Sequence, residues 1–280
     1  MTRRLLARRA TVVGLAIVIM LGLVALFAPW IAPHDPAHID PAIGFAGPSA
    51  AHWLGTDNLG RDLLSRLVYG ARWSLGLVLI ATLLVMSAGV TVGVVAGYAG
   101  GVLDDVLMRL VDAVLSVPSL LLGLAIVGTI GPGIGSVMIG LASIWWVSYA
   151  RVVRGLVIAL RERPFVDAAR ALGASNGHIV VRHIMPGILP ALAVLASLEM
   201  GELVLAISGL SFLGLGAQPP TPEWGAMLND GRTFFFTAPQ LLLYPGIAIS
   251  VAVMGFNLLG DGLRDALDAR EAMRLAGIGP

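Results

Sequence analysis

Lysine and cysteine are both missing from the 280 residues, so all 18 basic residues are arginine. A Walker A loop needs its lysine on the phosphates, and Schiff-base chemistry needs a lysine amine. The chain therefore has no P-loop of its own for ATP. Without cysteine there is no disulfide framework, no Cys-ligated zinc and no Cys nucleophile. Charge is scarce as well: 12% of residues are charged and 57% hydrophobic, with mean hydropathy +0.88. Soluble domains carry roughly 25% charged residues. Too few polar groups remain to cover a water-facing surface, which makes this an integral membrane protein.

A helix crossing lipid needs about 20 mainly apolar residues, because its backbone must satisfy its own hydrogen bonds. Six stretches qualify, at about 11–31, 74–98, 106–129, 134–150, 188–209 and 240–260. The first follows a basic flank, Arg3, Arg4, Arg8 and Arg9. It is longer than the roughly 7–15 apolar residues of a secretory signal, and Pro29 and Pro33 stand where a cleavage site would need small residues. It reads as an uncleaved span. With the N-terminus inside and sides alternating, 14 arginines fall on inner segments and 4 (Arg61, Arg66, Arg72, Arg232) on outer ones. The positive-inside rule then places both termini in the cytoplasm.

The chain divides into a first helix with its outer loop over 1–73, a transmembrane domain over 74–268 and a cytoplasmic tail over 269–280. The only sizeable inner loop is 151–187. The outer loops, 32–73 and 210–239, are proline-bearing, and Asp62 to Trp73 reads as an amphipathic helix lying on the membrane surface. In the second span Gly89, Gly93 and Gly97 recur every four residues, a groove into which a neighbouring backbone fits closely.

The inner loop runs Phe165-Val166-Asp167-Ala168-Ala169-Arg170-Ala171-Leu172-Gly173 and continues to His183-Ile184-Met185-Pro186. The pattern predicts a short alanine-rich helix broken at Gly173, then a second helix stopped by Pro186. A smooth alanine face flanked by Arg163, Asp167 and Arg170 suits docking into a groove on a partner; an ordinary connecting loop is the plainer alternative.

This segment resembles the loop of binding-protein-dependent ABC importer permeases, in which a Glu-Ala-Ala triplet is followed by glycine and later proline. Asp167 stands in place of the usual Glu. His52-Trp53-Leu54-Gly55-Thr56-Asp57, with Gly60-Arg61-Asp62 and Ser65-Arg66, is similar to the outer-loop signature of the second permease of dipeptide, oligopeptide and nickel importers. Ser211 to Gly216, Pro219-Pro220, Glu223-Trp224-Gly225, Asn257 to Asp261 and Leu263-Arg264-Asp265 extend the resemblance over about 30–268.

The resemblance implies an all-α MetI-like permease fold with six transmembrane helices in a bacterial inner membrane. It implies coupling residues at Arg163, Asp167, Ala168, Ala169, Gly173 and Pro186. It implies, as partners, a homologous sister permease, two ABC ATPase subunits and an extracytoplasmic solute-binding protein, and no nucleic acid. The chain itself is then neither an enzyme nor a cofactor binder, ATP and magnesium belonging to the ATPases. Its cargo is a peptide, nickel or a metal chelate.

Glu199 and Glu202 sit inside the fifth span, three residues apart and hence on roughly one side. A mid-membrane carboxylate costs about 2.5–3.5 kcal/mol on insertion scales and usually faces a cavity or partner. The pair lines the translocation path, or forms an interhelical polar contact, or serves a proton-coupled secondary transporter. His34, Asp35, His38 and Asp40 are of suitable type for nickel or zinc, but Pro36 and Pro41 break the helix that would align them, and no metal site is assigned. Gly173-Ala174-Ser175-Asn176-Gly177 fits the G-x-S-x-G pattern of serine hydrolases without the strand–turn–helix setting that chemistry needs.

Overall fold

The computed structural model describes residues 9–275, and side chains as far as 267. Arg3, Arg4 and Arg8 of the basic flank and residues 276–280 of the tail lie outside the described residues, as do the side chains of Arg270 and Arg274.

The described chain is helical, with one isolated β-bridge between Thr56 and Asp62. In chain order the α-helices are α1 (Arg9–Leu26), α2 (Ala28–Ile31), α3 (Leu63–Ala99), α4 (Gly101–Leu115), α5 (Ser119–Ile130) and α6 (Ile134–Ile144). They continue as α7 (Trp146–Arg161), α8 (Pro164–Ala171), α9 (Asn176–Ile179), α10 (Met185–Phe212), α11 (Trp224–Gly231) and α12 (Gln240–Leu275). Five stretches are long and apolar enough to cross a membrane, and α4 with α5 makes a sixth only as a pair bent by 83°.

That bend corrects the single straight span expected at 106–129. Pro118 lies in the break, and the residue before a proline is pushed out of the α region. The fourth span also differs. It runs from Ile134 to Arg161 rather than ending at 150, because α7 continues past α6 with its arginines paired. Arg154 makes two hydrogen bonds to Asp104 (2.5 and 2.6 Å), and Arg151 reaches Asp112. The inner loop is correspondingly shorter than 151–187.

Pro186 does not stop a helix. After α9 the chain winds through a π segment, Val180–Ile184, and enters α10 with Pro186 in its first turn. The Met185 N–H bonds back to Val180 O, five residues away. Proline there lacks only a donor that the wider winding leaves unneeded, so the helical path continues.

The segment 63–73 is likewise no surface helix. It is the start of α3, which runs unbroken for 37 residues, about 55 Å at 1.5 Å per residue. Hydrocarbon is about 30 Å thick, so one end of α3 stands clear of it. Leu63, Ser65, Arg66, Val68, Gly70 and Ala71 are buried there under a cap built from the two long loops. Asp57, Arg61, Arg66 and Asp230 form the ionic centre of the cap. Arg61 Nε donates to Asp57 (2.6 Å), and both arginines reach Asp230 (3.3 and 3.4 Å). Trp224 fills the space above Gly70 and donates its Nε1–H to Leu67 O at 3.1 Å. Glu223 caps α11 by accepting from the Gly225 and Ala226 N–H groups, both at 2.9 Å. Burial pushes its carboxyl above the ordinary carboxylate range, against these bonds and those from Ser211 and Ser74.

The glycine groove does what its period predicts. α3 packs on α7 with Gly89 against Tyr149, Gly93 against Ala150 and Val153, and Gly97 against Arg154 and Val157. A second tight seam joins α1 to α12, where Gly14 meets Leu258 and Gly255 meets Ile17. The main apolar core lies among α3, α6, α10 and α12, with Leu141, Leu203, Ile207 and Leu210 fully buried.

Candidate coupling and translocation sites

The end of the molecule opposite the cap carries a helix–turn–helix. Its first helix, α8, starts at Pro164, which suits a first helical position because its missing N–H has no intrahelical partner. It ends in a Schellman turn. The Gly173 N–H bonds to Arg170 O (2.9 Å) and the Ala174 N–H to Ala169 O (3.0 Å), with Gly173 at φ +79°. That left-handed conformation is the reason for glycine at this position. Ser175 then caps α9 by accepting from the His178 N–H at 3.3 Å. The serine of the G-x-S-x-G match is thus a helix cap between two helices, with no strand beside it.

Val166, Ile179 and Ile184 anchor this unit from below. They are fully buried against Val153 and Val157 of α7 and Ile188 and Leu192 of α10. The opposite surface is open. Arg163, Asp167, Ala168, Gly173 and Pro186 are exposed, Ala169 is half-buried, and Leu172 projects with 88% of its surface accessible. Asp167 accepts from Arg170 at 3.2 Å. Such an exposed i,i+3 pair adds little stability, which leaves both charges available. Beside them lies a polar cleft of about 620 Å³ bounded by Tyr98, Arg161, Glu162, Asp167, Arg170 and Asn176. Arg161 closes its floor by donating to the last carbonyls of α3, Gly97 O (3.2 Å) and Tyr98 O (3.0 Å). A cation there also offsets the negative end of the helix dipole. Sequence reasoning did not single out Arg161 for this role, although a basic residue in a helix's last turn is a readable signal.

The two glutamates of α10 share a helix but not their surroundings. Glu202 is exposed. Glu199 turns toward Tyr149 of α7, and its Oε1 is buried without a hydrogen-bond partner. The Tyr149 hydroxyl donates to Leu195 O at 3.4 Å, one turn earlier. Between the glutamates, Gly201 lets the Asn257 side chain of α12 approach α10 closely.

In the first long loop, Asp35 and Asp40 are spent on local turns, accepting from the Ala37 (2.8 Å) and Ala42 (3.1 Å) N–H groups. His34 joins neither of them nor His38. It stacks on His52, ring centroids 4.7 Å apart, beside Asp62.

The family described as binding-protein-dependent transport system inner membrane component matches residues 89–272. The N-terminal TM domain of oligopeptide transport permease C matches residues 1–48. The chain is 45% identical over 255 residues to the nickel transport system permease protein NikC of Escherichia coli, covering 91% of this chain and 92% of that one. It is 44% identical over 268 residues to the dipeptide transport system permease protein DppC of Alkalihalophilus pseudofirmus, covering 96% and 88%. With the glutathione transport system permease protein GsiD of Pectobacterium atrosepticum it shares 41% identity over 269 residues, covering 96% and 89%.

Proposed function

Because the chain belongs to the binding-protein-dependent transport system inner membrane components, we propose that it is one of two permease subunits of an ATP-driven importer. Its cargo class is peptides, nickel or metal chelates, in keeping with the nickel, dipeptide and glutathione systems its relatives serve. The single observation that carries the coupling role is the α8–α9 unit. It is rigidly seated through Val166 and Ile179, yet presents Asp167, Ala168, Arg170 and Leu172 outward. An apolar knob flanked by an opposed charge pair is what a groove on a partner recognises. The partners are a sister permease, two ABC ATPases docking on this unit of each permease, and a solute-binding protein on the cap side.

Both termini then lie in the cytoplasm with the coupling unit, as the arginine bias supports. Closing of the ATPases on ATP displaces α8, and the displacement passes through the Schellman turn and the buried anchors into α7 and α10. Neither ATP nor magnesium is bound by this chain, and the cargo crosses chemically unchanged. Glu199 and Glu202 line the path, one half-buried and one open, where they attract a cationic group on the cargo.

The unpartnered Oε1 of Glu199 favours one competing reading, a proton-coupled secondary transporter. Gentle extraction of the tagged chain from its native membrane decides between them. Recovery of a homologous permease with P-loop ATPases supports the importer. A chain that emerges alone, under conditions that keep a known importer intact, refutes it. Uptake that collapses with an uncoupler while surviving loss of ATP hydrolysis points to the glutamates instead.

A further inference from the structure

We propose that His34, His52 and Asp62 form a binding site for a divalent transition-metal cation, with nickel(II) and zinc(II) as its class, which staples the first long loop to the start of α3.

The three side chains come from separate parts of the chain, and one ligand atom from each lies within 4.8 Å of the others. Both imidazoles aim Nδ1 at the same carboxylate oxygen, Asp62 Oδ1. His52 stands at 2.9 Å and His34 at 3.8 Å. In a tetrahedral site with metal–ligand bonds of about 2.1 Å, ligand atoms are about 3.4 Å apart. The two separations from Asp62 Oδ1 bracket that value and all three ligand atoms lie within 4.8 Å of one another, so closing of the histidines about the carboxylate admits an ion. Two imidazoles and a carboxylate are the borderline donor set that nickel and zinc prefer over magnesium or calcium.

The site is built as well as placed. Asp62 Oδ2 is held by the Ser65 N–H (2.8 Å) and Ser65 Oγ (2.7 Å), which fixes the carboxylate and leaves Oδ1 facing the histidines. The same Ser65 Oγ accepts from the His34 N–H at 3.0 Å, tying the loop to the carboxylate's own support. His52 is set by a reciprocal turn: its N–H donates to Ser49 Oγ (3.0 Å) and its carbonyl accepts from the Ser49 N–H (2.8 Å). Outer contacts of this kind orient ligands in established metal sites. Access comes from one side only. The Asp62 side chain is 1% exposed and His52 17%, whereas His34 is 39% exposed. The ion would keep at least one position open to water or to a chelating group. As a helix cap alone, Asp62 needs Ser65 and at most one imidazole; the second one, stacked beside it, serves no hydrogen bond to that oxygen.

The test uses the full-length chain, purified in detergent without a polyhistidine tag, stripped with chelator and titrated with nickel(II) or zinc(II) by calorimetry at neutral pH. One ion per chain is expected, with affinity weakened at least about tenfold in His34→Ala and in His52→Gln. His52→Gln retains a donor for Asp62, so the helix start stays capped, and His34→Ala leaves that cap untouched. The double variant His178→Ala/His183→Ala removes the neighbouring histidine pair at the other end of the molecule and should bind as the parent does. Absence of stoichiometric binding overturns the site. So does binding that survives His34→Ala, or that is lost only in the His178/His183 variant. Neither ATP nor a binding protein enters the experiment, so its outcome is separate from that of the importer reading.

Discussion

The glycine seam between α3 and α7 makes the sharpest quantitative prediction. A methyl group added at Gly93 would sit 2.6 Å from Ala150 O and 2.7 Å from Val153 Cβ. Both are closer than carbon tolerates, and the first is backbone, so the two helices must separate. Overpacking of this kind costs about 1–3 kcal/mol. Gly76 lies on the same helix, and a methyl there meets nothing within 4 Å. The same substitution at that position should stabilise by up to about 1 kcal/mol, because alanine is the better helix former. Gly93→Ala and Gly76→Ala therefore differ in sign, not merely in size. Unfolding in mixed detergent–SDS micelles, followed by tryptophan fluorescence, measures both. The combined variant Gly89→Ala/Gly93→Ala should lose more than Gly93→Ala, but less than two independent sites would, since one separation of the helices relieves both clashes. Equal stabilities for the Gly93 and Gly76 variants would refute the close approach of α3 and α7.

Three further outcomes follow from the geometry. Gly173→Leu pays the left-handed backbone cost of about 1–2 kcal/mol with no steric clash, since a Cβ there has open space. The protein should insert normally but lose uptake, while Gly173→Asn keeps part of it; normal uptake by the Leu variant would count against coupling. Glu199→Leu removes a buried unsatisfied oxygen and should gain about 1–3 kcal/mol of stability. Its uptake should fall by about an order of magnitude, or about 1.4 kcal/mol in the barrier, and a variant that transports like the parent removes Glu199 from the path. Asp62 gives a pH dependence. Burial pushes its carboxyl up, but hydrogen bonds from Ser65 and His52 and the charge of His34 outweigh it and hold the carboxyl below 3.8. Its stabilisation is then complete above 3.8 and is lost as pH falls through the lower folded value. Unfolding midpoints from neutral pH down through the carboxylate range should fall for the parent, and less steeply for Asp62→Asn, which starts lower.

Features carried by local spacing were legible in the sequence. The four-residue glycine period announced the α3–α7 seam, and the alanine run broken at Gly173 announced α8 and its turn. Prolines were less transparent. Pro118 breaks a span while Pro186 rides inside one, and the difference lies in the π winding before Met185; Pro190 also lies within that helix. The start of α3, Asp62 to Trp73, was misread as a surface helix because Asp62, Arg66 and Arg72 give it a charged face. Arg66 is instead buried with Arg61 between Asp57 and Asp230; Asp230 is more than 160 residues away, and no local pattern reveals it. Likewise, His34 pointed to its sequence neighbours His38 and Asp40, whereas the fold pairs it with His52 and Asp62. Glu199 and Glu202 appeared equivalent by spacing, and only the position of Tyr149 distinguishes them.

α3 alone among the three longest helices has no internal proline; α10 carries Pro190 and α12 carries Pro245. Its far end is pinned by Arg161 beside the coupling unit, and its near end is capped by Asp62 within the loop cap. A beam of this length without a kink has no joint at which to dissipate motion. Under the proposed importer function, a tilt imposed at one end of α3 would therefore reach the other end as a sideways sweep about the glycine seam. The loop cap would then be the pointer of a gauge whose needle is driven from the opposite side.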